Sequence, residues 1–198
     1  MGVVQPREAG VPTPEEGAAL VALAVAAIAA HLRGEQPHPE VPASARLRAV
    51  GASFVTLERG GHLRGCIGSL DAHRPLYLDV ARNATQATAD PRLPPVTALD
   101  WPELAVKVAV LTPPVPVGAA DRAGIAAALR PGVDGLILTQ GERRTTFLPA
   151  VWAKLIDPAE FVAALLSKGG WPAWSDDIRA FRYESVEFAG DPPRVPLE

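Results

Sequence analysis

A lone cysteine, Cys66, in a chain of 198 residues leaves no partner for an intramolecular disulfide. That excludes the small secreted scaffolds that depend on several such bridges. Aromatic residues amount to only 6%, and Trp152, Trp171 and Trp174 read as core or rim rather than as a platform for stacked bases. An excess of positive charge is also missing: 19 basic against 22 acidic groups give −3 at pH 7. Nucleic acid is therefore the partner the charge favours least. The longest uncharged apolar run, Ala18 to Ala30, has 13 residues, short of the roughly 20 of a membrane span. Glu15 and Glu16 stand before it where a secretory signal would carry basic residues. No membrane and a cytoplasmic location are the expectation. Cys-x-x-Cys, His-Glu-x-x-His, Walker, Gly-x-Gly-x-x-Gly and Gly-x-Ser-x-Gly patterns are all absent. Neither a metal nor a cofactor is expected.

What is present is an alternation of hairpins and helices. Thr13, Pro14 and Glu16 make a capping box and an N1 proline for a helix that Gly34 stops. A strand over Ala52–Glu58, a Gly60-Gly61 turn and a strand over His62–Ile67 form the first hairpin. Pro75 opens a helix to about Ala89, closed by Asp90-Pro91-Arg92 and Pro94-Pro95. Leu104–Leu111 is the clearest strand, with Leu104, Val106, Val108 and Val110 on one face. A short helix over Asp121–Leu129 follows. The pattern then returns: strands Gly135–Thr139 and Arg143–Leu148, then a helix capped by Asp157 and ended by Gly169. A last strand spans about Ala180–Phe188, with its alternation broken near Ser185, where a bulge is expected. A hairpin-plus-helix unit thus occurs twice. It predicts an α+β fold with a mostly antiparallel sheet and helices packed outside it.

The segment with chemical potential is Leu63-Arg64-Gly65-Cys66-Ile67-Gly68. Strict alternation turns Leu63, Gly65 and Ile67 to the core and sets His62, Arg64, Cys66 and Gly68 in a row on the other face. The two glycines would leave backbone N–H groups open to a ligand. Arg64, two residues from Cys66, would lie roughly 7 Å away. A charge pair at that distance is worth about 0.6 kcal/mol in water and about 2.4 kcal/mol at an effective dielectric of 20. Activation of the thiol thus requires a sheltered cleft. The competing reading is a small buried apolar cysteine. Arg144, beside Arg143, Thr145 and Thr146, is a further candidate for holding phosphate or carboxylate. Asp90 and Arg92 read as a pair that pins the proline-rich turn. His73 is close enough in sequence to reach Cys66 around a turn.

These residues resemble the AMMECR domain family, whose bacterial and archaeal branch is called AmmeMemoRadiSam system protein A. The resemblance rests on Phe54-Val55-Thr56-Leu57, the LRGCIG hexapeptide, Asp90-Pro91-Arg92 with Pro94-Pro95, Arg130 to Gly135, Thr146 to Val151 and Lys168-Gly169-Gly170. It implies two unequal subdomains and a barrel-like, partly duplicated sheet within one domain over residues 13–190. A loose N-terminal tail over 1–12 and a C-terminal tail over 191–198 flank it. It further implies association with a radical SAM enzyme and a Memo-like protein, and a functional centre at Arg64, Gly65, Cys66 and Gly68. Two readings follow. In one, Cys66 is a catalytic thiol and Arg64 anchors a small anionic substrate, with Gly65, Gly68, Asp90, Arg92 and Arg144 as ligand-binding residues. In the other, the same face is a non-catalytic binding or adaptor module.

Overall fold

A computed structural model describes residues 11–119 and 121–197. Most of the tail expected over 1–12, namely residues 1–10, lies outside the described residues. The chain divides into two units, Met1–Leu111 with Val186–Glu198, and Thr112–Ser185.

The first unit begins with α1 (Pro14–Leu32), whose capping box forms as the sequence requires. The Thr13 hydroxyl accepts from the Glu16 N–H at 3.3 Å, and the Glu16 carboxylate accepts from the Thr13 N–H at 2.8 Å. By length and composition α1 could cross a membrane. Instead, its Leu20, Ala24 and Ile28 face is fully buried in the hydrophobic core. Its outer side is also apolar but small, with Ala18, Ala19, Ala22 and Ala26 exposed.

After the short α2 (Ala45–Arg48), β1 (Val50–Arg59) and β2 (His62–Gly68) form the first hairpin. Its turn depends on Gly60 and Gly61, at φ of 56° and 77°, a region closed to most side chains. Then come β3 (Arg74–Pro75), α3 (Leu76–Ala87) and β4 (Leu104–Leu111). Strands pair in the order β2-β1-β4-β9, with β9 spanning Ser185–Gly190 and β3 pairing β1. Val55 and Leu57 of β1, with Leu104, Val106 and Val108 of β4, bury one sheet face in a core shared with α1 and α3. The C-terminal segment is held on this unit as well. Arg194 stacks over the Trp101 ring at 5.4 Å and donates to the Leu104 and Gly190 carbonyls, while the Trp101 indole N–H donates to the Val195 carbonyl.

The second unit contains β5 (Val115–Pro116), α4 (Arg122–Ala128), β6 (Gly135–Gln140), β7 (Arg143–Phe147), α5 (Pro158–Lys168) and β8 (Arg179–Tyr183), paired as β5-β8-β6-β7. Its core centres on Phe161, fully buried and stacked on Trp152 at 3.8 Å. The buried Asp134 carboxylate ties the loop before β6 together by accepting from the Arg130 N–H and guanidinium.

Two expectations need correction. Among the described residues neither sheet closes into a barrel: the two hairpins belong to separate open sheets, each with edge strands. The last strand is also two strands. The break at Ser185 is no bulge but the point where the chain leaves the second sheet as β8 and joins the first as β9. At that crossing the Thr112 N–H donates to the Glu184 carbonyl at 2.9 Å, and the Glu184 N–H donates to the Thr112 hydroxyl at 2.8 Å.

Candidate functional site

The hairpin register sets every side chain of the hexapeptide. Thr56 faces Cys66, Val55 faces Ile67 and Leu57 faces Gly65, but Glu58 faces Leu63, so Arg64 is an extra residue on β2. This bulge reverses the alternation beyond it. Leu63, expected in the core, is 47% exposed, whereas Gly65 and Ile67 keep the core side. Cys66 lies on the opposite face, half-buried, as alternation required.

The surroundings of Cys66 differ from the sequence expectation. The Arg64 guanidinium reaches the Asp100 carboxylate at 3.1 Å and the Pro95 carbonyl at 3.4 Å. Arg59 joins the same carboxylate at 3.1 Å. Burial pushes Asp100 up, but bonds from the Thr97 N–H and hydroxyl, with Arg59 and Arg64, outweigh it and hold its carboxyl below the usual range. Arg64 thus ties β2 to the loop that precedes β4.

The cation beside the thiol segment is Arg92. Asp90 and Arg92 make a closed set of bonds around the Cys66 peptide groups. The Cys66 N–H donates to Asp90 Oδ2 at 3.0 Å, Arg92 Nη2 donates to the Cys66 carbonyl at 2.9 Å, and the same Nη2 donates to Asp90 Oδ2 at 2.6 Å. Asp90 Oδ1 also accepts from the Arg92 N–H and Nε, so the carboxylate shapes its own turn. The bonds from the Arg92 guanidinium hold the Asp90 carboxyl well below the usual carboxylate range, against burial, with the Cys66 N–H adding to the effect. Arg92 is raised in return, chiefly by its hydrogen bonds to Asp90. The pairing that the sequence suggested is real, and its target is the cysteine peptide rather than the turn alone.

The glycines serve packing. A Cβ on Gly65 would lie 1.9 Å from the Ala87 carbonyl oxygen, and one on Gly68 would lie 2.2 Å from the Phe54 ring. Neither glycine leaves the Cys66 N–H open, because Asp90 takes it. His62 and His73 are exposed, and neither bonds to the thiol among the described residues. Cys66 Sγ accepts from the Thr56 hydroxyl at 3.3 Å. Thr56 was missed in the sequence because pairing counted from the Gly60-Gly61 turn sets Val55 opposite Cys66, and only the extra residue at Arg64 brings Thr56 there. Arg144 lies in the second unit, on β7 opposite Thr139. Among the described residues no group of His, Cys, Asp and Glu could hold a metal.

Beneath the end of β2 lies a second polar cluster that the sequence did not signal. The buried Asp79 of α3 accepts from the Ser53 N–H and hydroxyl, the Ser69 hydroxyl, Arg74 and Asn83, all at 2.8–2.9 Å. It fastens α3 to both strands at the open end of the hairpin. Two surface recesses line other parts of this unit. One of about 640 Å³ lies among α1, Trp101 and residues 193–197; the other, of about 330 Å³, lies between Pro37, Pro39 and α3. Cys66 lines neither of them.

An α+β protein with two open antiparallel sheets and an arginine-clamped cysteine strand is the class that this geometry defines. Comparison with known proteins places it more closely. The AMMECR1 family profile matches residues 21–188, and the chain belongs to that family. A protein of Methanothermobacter thermautotrophicus is 37% identical over 187 residues, covering 89% of this chain and 95% of that one. Protein MJ0810 of Methanocaldococcus jannaschii is 33% identical over 193 residues, covering 92% and 94%. The crystal structure of the uncharacterized protein PH0010 from Pyrococcus horikoshii is similar at a TM-score of 0.83 and 32% identity, covering 92% of this chain and 95% of that one.

Proposed function

We propose that this chain is a recognition module that holds an anionic group of a partner beside Cys66, with Arg92 as the donor. The observation that carries the reading is the commitment of both main-chain groups of Cys66 to Asp90 and Arg92. A thiol nucleophile works with N–H donors aimed at developing negative charge. Here a carboxylate already fills the place in front of the Cys66 N–H. Arg92 retains an outward Nη1 that makes no hydrogen bond among the described residues, on a side chain 65% exposed. A carboxylate or phosphate can add to that edge while the inner edge keeps its bonds.

The radical SAM enzyme and the Memo-like protein implied by the family resemblance are the partners to test first, in the cytoplasm. Calorimetric titration of each against this protein is the experiment. Binding is expected to persist in Cys66→Ser and to weaken at least tenfold in Arg92→Gln. Loss in a folded Cys66→Ser protein with Arg92→Gln unaffected would refute the reading.

The second reading, a thiol-dependent enzyme acting on a small anion, draws on the Thr56 hydroxyl at 3.3 Å from Sγ and on the incomplete burial of Cys66. It requires that iodoacetamide label native Cys66 and that the labelled protein lose its function.

A further inference from the structure

β2 is the outermost strand of its sheet. The Ser69 N–H donates toward β1, to the Ser53 carbonyl at 3.0 Å. With the strand's alternation, this turns the N–H and C=O of Cys66 the other way, off the edge of the sheet. A further antiparallel strand would offer Cys66 one carbonyl and one N–H from a single residue. Asp90 Oδ2 and Arg92 Nη2 stand in those two places, at 3.0 and 2.9 Å, and are bonded to each other at 2.6 Å. Two side chains reproduce the hydrogen bonds of a neighbouring strand.

Exposed edges are usually blunted by lysine, proline or an inward charge. Gly65-Cys66-Ile67-Gly68 has none of these. Its side chains are small and uncharged, and its main-chain groups are self-complementary under a two-fold axis. We infer that the Asp90–Arg92 pair is a cap that closes the β2 edge, and that without it this edge pairs antiparallel with the β2 edge of a second copy of the chain, Cys66 opposite Cys66. This goes beyond the recognition reading and is tested without any partner or ligand.

The first measurement is amide exchange in the wild-type protein. The Cys66 N–H is expected to be protected at least tenfold over an unstructured amide, although it lies on an edge. In an Asp90→Ala/Arg92→Ala protein it should lose that protection at low protein concentration. At rising concentration, sedimentation should show a dimer absent from the wild type. Diamide, which takes up the two thiol hydrogens, should then join the dimer through Cys66, the sole cysteine. Directly opposed residues of a hydrogen-bonded antiparallel pair have Cα atoms about 5.5 Å apart, within disulfide reach. A double variant with wild-type near-UV circular dichroism and no self-association overturns the inference. So does rapid exchange of Cys66 in the wild type, which decides the matter by itself should the variant fail to fold.

Discussion

Gly65 lies so close to Ala87 that a methyl group on it would stand 1.9 Å from the Ala87 carbonyl oxygen. The end of α3 therefore sits directly on the backbone of β2, and it can do so only over a residue with no side chain. Because backbone rather than a flexible side chain is in the way, Gly65→Ala should cost at least about 3 kcal/mol, the upper end of ordinary overpacking. Urea denaturation would measure it. A loss under about 1 kcal/mol would show that α3 can retreat and that the packing is not obligatory.

The bulge at Arg64 makes a contrasting prediction. Leu63 faces out and Ile67 faces the core. Leu63→Ser should change stability by no more than about 0.5 kcal/mol, whereas Ile67→Ala should cost about 2 kcal/mol because its site is only partly enclosed. Comparable losses from both would restore the unbroken alternation that the sequence suggested.

Acid should release the Asp90 clamp. Its carboxyl is lowered in the folded protein, whereas the unfolded chain has the ordinary value of about 3.9. The contribution is thus fully present above that value and is lost as pH falls below it toward the folded one. The gap in urea midpoint between wild type and Asp90→Ala should be constant from pH 5 to 7 and should narrow below about pH 4. An equal gap at pH 2 and pH 7 would disconnect Asp90 from acid stability.

Tyr183 marks the alkaline limit. Burial pushes its phenol up to about 12, against smaller opposing effects of the Thr146 hydroxyl and the Arg144 charge. Raised above an unfolded value of about 10, it adds stability that is complete below pH 10 and disappears as pH rises toward the folded value. Ultraviolet titration of Tyr77→Phe, which isolates this phenol, should show a midpoint near pH 12. A midpoint near 10 would mean that the hydroxyl is open to water.

Much of this was legible wherever a local rule decides the outcome. Thr13 and Glu16 form the box that their spacing announces, and Gly60-Gly61 turns the hairpin. Asp157 caps α5 by accepting from the Glu160 N–H. What escaped depends on contacts distant in sequence. Arg64 was matched to its neighbour Cys66, but a single inserted residue turns the strand, and a carboxylate 36 positions away takes the guanidinium. The Ser185 break showed as a faltering alternation, which cannot distinguish a bulge from a change of sheet. Barrel closure is likewise a question of which edges meet, and two similar hairpins carry no mark of whether they share a sheet.

The switch of sheets at Ser185 has a consequence for how such chains can vary. Strands β4 and β9 are neighbours, and everything from Thr112 to Glu184 is threaded between them. Departure and return occur side by side, joined by the reciprocal bonds of Thr112 and Glu184. The second unit is therefore a cassette on one doorway: lengthened, replaced or trimmed to a tight turn, it would leave the pairing order of the host sheet intact.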